Sequence, residues 1–119
     1  MDTRPKTIFC DIDGTLIWHS KPSENAKEIN KASLIPGTLD KLDEWERKGY
    51  NIILITGRKK SMRKKTEKSL AELGIYYDIL IMGVGGGTRY LINDSKPNGD
   101  ISAIAINIER NKGIQDIDI

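Results

Sequence analysis

Thr7-Ile8-Phe9-Cys10-Asp11-Ile12-Asp13-Gly14 is a short apolar run, rich in β-favouring residues, that breaks at an acidic turn containing glycine. It reads as a buried strand running into a turn. Asn51-Ile52-Ile53-Leu54-Ile55 repeats the pattern and breaks at Thr56-Gly57-Arg58. Between these runs, Pro36 and Gly37 precede Leu39, Leu42, Trp45 and Glu46, and Gly49 follows. That spacing predicts a short amphipathic helix from near Pro36 to Gly49. From Lys60 to Leu73, good helix formers carry Met62, Thr66, Leu70 and Leu73, with Gly74 where a C-terminal cap belongs. Asp78–Met82 and Tyr90–Asn93 read as two further strands, separated by Gly83-Val84-Gly85-Gly86-Gly87. Strands without polar alternation, interleaved with helices, predict an α/β fold of the three-layer, Rossmann-like kind: a mostly parallel sheet covered on both faces. Residues 17–35 show no period and read as a flap, while Ile104, Ile106 and Ile108 alternate as in a half-exposed strand.

With 119 residues, the chain is expected to form one domain, 1–119, around one core. Apolar residues make up 38% and charged residues 30%, enough to fold but leaving a modest core. The net charge of +2 points to no nucleic-acid partner by itself. Cys10 is the one cysteine, which excludes an intrachain disulfide and a multi-cysteine zinc site and suits a reducing cytoplasm. The first seven residues lack the apolar stretch of a signal peptide, and no apolar run approaches the roughly 20 residues of a membrane span. Neither secretion nor membrane insertion is expected.

In open parallel sheets, ligands gather beyond the carboxyl ends of the strands. Asp11 and Asp13 stand there after the first strand, Thr56, Gly57 and Arg58 after the second, and Asp94 after the expected strand at 90–93. Two carboxylates at ~4 Å repel by roughly 4 kcal/mol at an effective dielectric near 20, so such a cluster must bind a cation or hold a proton. All-oxygen ligands and a phosphate partner favour Mg²⁺.

Asp11-Ile12-Asp13-Gly14-Thr15-Leu16 resembles the DxDGT(L/V) signature of the haloacid dehalogenase superfamily, and Ile53-Leu54-Ile55-Thr56-Gly57-Arg58 looks like its second motif. Leu91-Ile92-Asn93-Asp94 is similar to the fourth. Within that superfamily, Leu73-Gly74-Ile75-Tyr76-Tyr77-Asp78 followed by Met82-Gly83 is similar to capless phosphatases associated with capsular polysaccharide biosynthesis. The resemblance implies a Mg²⁺-dependent phosphomonoester hydrolase. Asp11 would be the nucleophile that forms an aspartyl-phosphate, and Asp13 the general acid and base with its carbonyl on the metal. Thr56, Gly57 and Arg58 would hold phosphoryl oxygens, and Asp94 would complete the metal shell with Asp11.

The family's conserved-type cation before the fourth motif has no obvious counterpart, because Val84 follows Met82-Gly83. Lys64, Lys65, Arg89 and Lys96 are the substitutes that spacing leaves open. If none serves, the chain is a phosphate-binding or regulatory module rather than an enzyme. Arg58 is divided between contacting substrate and forming a structural ion pair. The basic series from Arg58 to Lys68 reads as a solvated helix face, Gly85-Gly86-Gly87-Thr88 as a connection, and Trp18 and His19 as flap residues. Both inter-motif gaps are too short for an inserted cap, so the site should be open unless a homo-oligomer closes it. The expected partner is a phosphorylated substrate, with a sugar phosphate as candidate and a nucleic-acid end as the lesser alternative; no membrane partner is expected.

Overall fold

The computed structural model describes residues 2–19 and 33–119. Three strands, β1 (Thr7–Asp11), β2 (Asn51–Ile55) and β3 (Ile79–Ile81), and two helices, α1 (Thr38–Arg47) and α2 (Arg63–Leu73), alternate along the chain. A 3-10 turn, Lys60–Met62, leads into α2. The strands form one parallel sheet in the order β1-β2-β3. Parallel neighbours need a crossover between them, and α1 and α2 are those crossovers.

The apolar runs become strands because the chain can bury one side of each. Ile8, Cys10, Ile52, Leu54 and Leu80 point into the core, where Leu42 and Trp45 of α1 and Leu70 and Leu73 of α2 meet them. Asp78 sets the start of β3: its carboxylate accepts the Ile52 N–H at 2.7 Å, and its own N–H donates to the Ile52 carbonyl at 2.8 Å. Gly74 closes α2 in the left-handed conformation, φ 79°. Such a residue satisfies the last helical carbonyls at no Cβ cost.

Two expectations change. Both helices lie on the same side of the sheet, so the second covering layer is missing and the opposite face carries Phe9, Ile79 and Ile81 largely exposed. In addition, Tyr90–Asn93 is not a strand. Residues 84–108 contain no helix or strand, and Tyr90, Leu91 and Ile92 are exposed. Ile104 and Ile106 are exposed too, while Ile108 reaches the edge of the core.

The end of the described chain does pack. Ile114 is buried among the core residues, and the Ile119 carbonyl accepts from Lys48 Nζ at 3.0 Å and Tyr50 OH at 3.4 Å. The stems of the expected flap are zipped together: Trp18 N–H donates to the Ser33 carbonyl at 2.8 Å, and Ile35 N–H to the Leu16 carbonyl at 3.0 Å. The rest of that flap, residues 20–32, lies outside the described residues. Among the described residues, no helix is long and apolar enough to cross a membrane.

Candidate functional site

The register pairs Asp11 with Ile55, so the acidic turn after β1 and the Thr56-Gly57-Arg58 turn after β2 leave the sheet side by side. The acidic turn is wound tightly. Thr15, Leu16 and Ile17 N–H groups all donate to the Ile12 carbonyl, and Gly14 sits at φ 86°, in the left-handed region. A glycine there carries no strain, whereas a side chain would.

Arg58 reaches across to Asp13 as a fork, with Nε on Oδ2 at 2.9 Å and Nη2 on Oδ1 at 2.8 Å. The pair is mostly shielded, at 15% and 23% side-chain exposure. Of the two roles left open for Arg58, this arrangement is the ion pair. Two parallel charged hydrogen bonds fix both partners in orientation as well as position. Thr56 is buried, and its hydroxyl accepts the Arg58 N–H at 3.1 Å. The threonine therefore shapes the turn that aims Arg58.

Gly57 is exposed yet sterically committed, since a Cβ there would lie 2.9 Å from the Gly85 carbonyl oxygen. The glycine-rich segment is thus seated on this turn. Gly83 N–H donates to the Arg58 carbonyl at 2.8 Å, and Val84 N–H to the Thr56 carbonyl at 3.3 Å.

Of the four candidate cations, Arg89 is the one placed at the nucleophile position, its Nη1 lying 3.3 Å from Asp11 Oδ1. Lys96 pairs with Asp2 at 2.6 Å, and Lys64 and Lys65 are exposed on α2. Arg4 and Lys96 together hold the Asp2 carboxyl well below the usual carboxylate range. The two ties at Arg89 and Lys96 give the segment its direction: it starts at the carboxyl end of β1 and runs back past the strand towards the residues before it. Asp94 is carried away from Asp11 by this course, and its carbonyl accepts from Ser102 Oγ.

The expected magnesium set of Asp11, Asp13 and Asp94 is therefore not assembled. Among the described residues, no three His, Cys, Asp or Glu side chains converge as metal ligands. The two carboxylates that do stand together are each engaged by an arginine. As arranged, these residues do not fit the ion that the sequence resemblance implies.

Cys10, just before Asp11, faces the core, and burial followed by the neighbouring Asp11 charge pushes its thiol up to about 12. It is an inert thiol at neutral pH.

One contributor escaped the sequence reading. Asn111, at φ 66°, donates its N–H to the Gly14 carbonyl at 2.8 Å, while its side-chain Oδ1 accepts the His19 N–H at 2.7 Å. It clasps the acidic turn on both flanks. The available signal was its residue type followed by Gly113, because asparagine tolerates the left-handed conformation better than most residues.

Comparison with known proteins bears on what this geometry is. The chain is similar to a chain of the Pnkp1/Rnl/Hen1 RNA repair complex, with 33% identity and a TM-score of 0.52 over 68% of this chain and 27% of that one. A chain in another structure of the Pnkp1/Rnl/Hen1 complex gives 30% identity and the same TM-score over 75% of this chain and 32% of that one. The chain thus spans a third or less of the length of these structural relatives. No curated protein matches it. These matches name no capsule-associated phosphatase, so the narrower resemblance gains no support from them. The family model of the LNS2 domain of PITM 1-3 matches residues 8–93, from β1 through both turns and Arg89 to the residue before Asp94. On that match, covering well over half of its length, the chain belongs to the LNS2 domain family, which has a haloacid dehalogenase-like phosphatase fold.

Proposed function

We propose that the chain is a phosphomonoester hydrolase working through Asp11 and Asp13. The observation that carries this reading is the apposition of two acidic groups at the end of β1 with two arginines, Arg58 and Arg89, at one mouth of a parallel sheet. Asp11 attacks phosphorus, the bond to the leaving oxygen breaks, and Asp13 gives that oxygen its proton. A water then loses a proton to Asp13 and attacks the aspartyl-phosphate, which releases phosphate and restores Asp11. Dividing the hydrolysis in this way replaces one difficult step with two easier ones.

The arginines have a defined part in it. An anionic phosphate entering between them competes for the guanidinium groups that now hold the carboxylates. Arg58 turning to phosphate frees Asp13 to take up the proton it must donate. Arg89 turning from Asp11 exposes the nucleophile and reduces its repulsion with the substrate. Charge developing on the phosphoryl oxygens is then met by fixed cations, the arrangement that contributes most in phosphoryl transfer. No step is routed through a metal.

For substrate class, an open mouth suits a bulky phosphorylated molecule. Exposed Lys59, Lys60, Lys64 and Lys65, with the likeness to a chain from an RNA repair complex, support a phosphorylated nucleic-acid end alongside a sugar phosphate. The test is phosphate release from a panel containing a sugar phosphate and 5′- and 3′-phosphorylated RNA, with and without magnesium. Asp11→Asn is expected to lower turnover to background, and equal rates in the variant overturn the assignment. Magnesium dependence that is abolished by Asp94→Asn would bring Asp94 to the site, against the arrangement described above.

A second reading, phosphate binding without turnover, is favoured by the fork of Arg58 on both oxygens of Asp13, which holds the proposed acid as a carboxylate. Under it, inorganic phosphate binds, Arg89→Met weakens that binding, and no ester on the panel is hydrolysed.

A further inference from the structure

A parallel sheet buries both faces almost without exception, because its strands carry apolar side chains on each side. Here one face is bare. In register, Phe9, Ile53 and Ile79 form one row across the sheet, and Asp11, Ile55 and Ile81 form the next. Phe9 is 50% exposed and Ile79 52%. The same chain carries an apolar surface that has no cover either: in the segment 84–108, Ile92 is 92% exposed and Ile104 75%.

We propose that the bare face of the sheet docks a second copy of this chain, the apolar side chains of face and segment together forming the interface. Three observations point to a copy rather than to an unlike partner. The surfaces match in kind, since each is apolar and each is left open in the same molecule. Of the strand residues on the face, Asp11 alone is charged, and Arg89 already engages it, so the face offers no charge pattern for a polyanion or a basic partner to read. The area also suffices. Large apolar side chains half or more exposed contribute about 100 Å² each, so face and segment offer on the order of 1,000 Å², against about 800 Å² per partner in a standard interface.

The location has a chemical consequence, which rests on the function proposed above. Asp11 ends the second row, so a copy seated on Ile55 and Ile81 stands at the rim of the candidate site. The covering copy would exclude water from the nucleophile, as an inserted cap does in a larger enzyme, and would hold in place the segment that bears Arg89.

Sedimentation equilibrium on the full chain tests the interface without any assay of activity. At high micromolar concentration the expected mass is twice the 13.4 kDa of one chain. Ile79→Lys and Ile104→Lys should each shift it towards the single-chain mass with unchanged far-ultraviolet circular dichroism. Leu39→Lys, exposed on α1 across the molecule, should not. Should a lysine variant unfold, Ile79→Cys decides. A bismaleimide is expected to join two copies through position 79, whereas the wild type, with Cys10 buried, stays unlinked. A single-chain mass for the wild type overturns the proposal, whether the chain's own segment or another protein covers the face. So does a dimer that both lysine variants leave intact, or an Ile79→Cys chain that does not cross-link. Loss of dimer and loss of turnover are separate outcomes: a dimer that hydrolyses nothing defeats the enzymatic reading alone.

Discussion

Cys10 and Asp11 are covalent neighbours in opposite environments, because the side-chain period of a strand turns one into the core and the other outward. The consequence for Cys10 is measurable. Iodoacetamide at pH 8 should leave it unmodified in the folded chain and label it fully in denaturant, as read by mass spectrometry. The same group gives stability a sign at alkaline pH. Its folded value, about 12, lies above its ordinary 9.0, so between those limits the unfolded chain has released a proton that the native chain retains. Its contribution is fully present below pH 9 and declines as pH rises towards 12. Unfolding in urea measured across that window should show a falling midpoint, and Cys10→Ala should flatten the fall. Asp13 and Asp11 illustrate the limits of residue-level reading. Their types announce chemistry, but their arginine partners lie 45 and 78 residues away in sequence, and only the fold selects them.

At the scale of elements, the Thr56-Gly57-Arg58 turn and the glycine-rich segment behave as one unit, locked where Gly57 meets Gly85. Gly57→Ala places a methyl group 2.9 Å from a backbone oxygen, where no flexible side chain can yield. Its expected cost is about 1–3 kcal/mol, by analogy with overpacking elsewhere. If urea unfolding shows no loss, the contact is not maintained in solution. Gly86→Ala, which meets nothing within 4 Å, is the matched control. Elements of this kind were unequally legible. β2 spans Asn51–Ile55 as expected, because five apolar-compatible residues stand between Gly49 and the Thr56-Gly57 break. α2 ends at Leu73 because Gly74 announces its cap. Tyr90–Asn93 misled because three apolar letters satisfy strand propensity, while strand formation needs a neighbour to pair with. The ties of Arg89 to Asp11 and Lys96 to Asp2 instead lead this segment back along β1. That long-range choice leaves no mark on the local pattern, and it is also what separates Asp94 from the site.

For the whole molecule, the part that sequence said least about holds the site together. Ile114 is almost fully buried and anchors the final turns among residues from β1, β2 and both helices. Ile114→Ala should cost about 2–5 kcal/mol, the range for truncating a buried large aliphatic side chain. Because Asn111 lies three residues upstream, exchange of the Gly14 and His19 region with deuterium should rise more than exchange in β2. Uniform loosening throughout the chain would show that Ile114 supports the core without reaching the acidic turn. Nothing in the spacing of residues 109–119 marks this role, since it depends on one asparagine backbone angle and on two contacts made across nearly the whole chain.

The clasp between Asn111 and His19 joins residues 92 positions apart. Contacts of such separation close late, after loop entropy has been overcome by other parts of the fold. A ribosome that has delivered β1, α1 and β2 has therefore not yet delivered what sets the acidic turn. During vectorial synthesis the sheet can begin to assemble while its carboxylates remain unaligned, and chemical competence arrives with the last few codons.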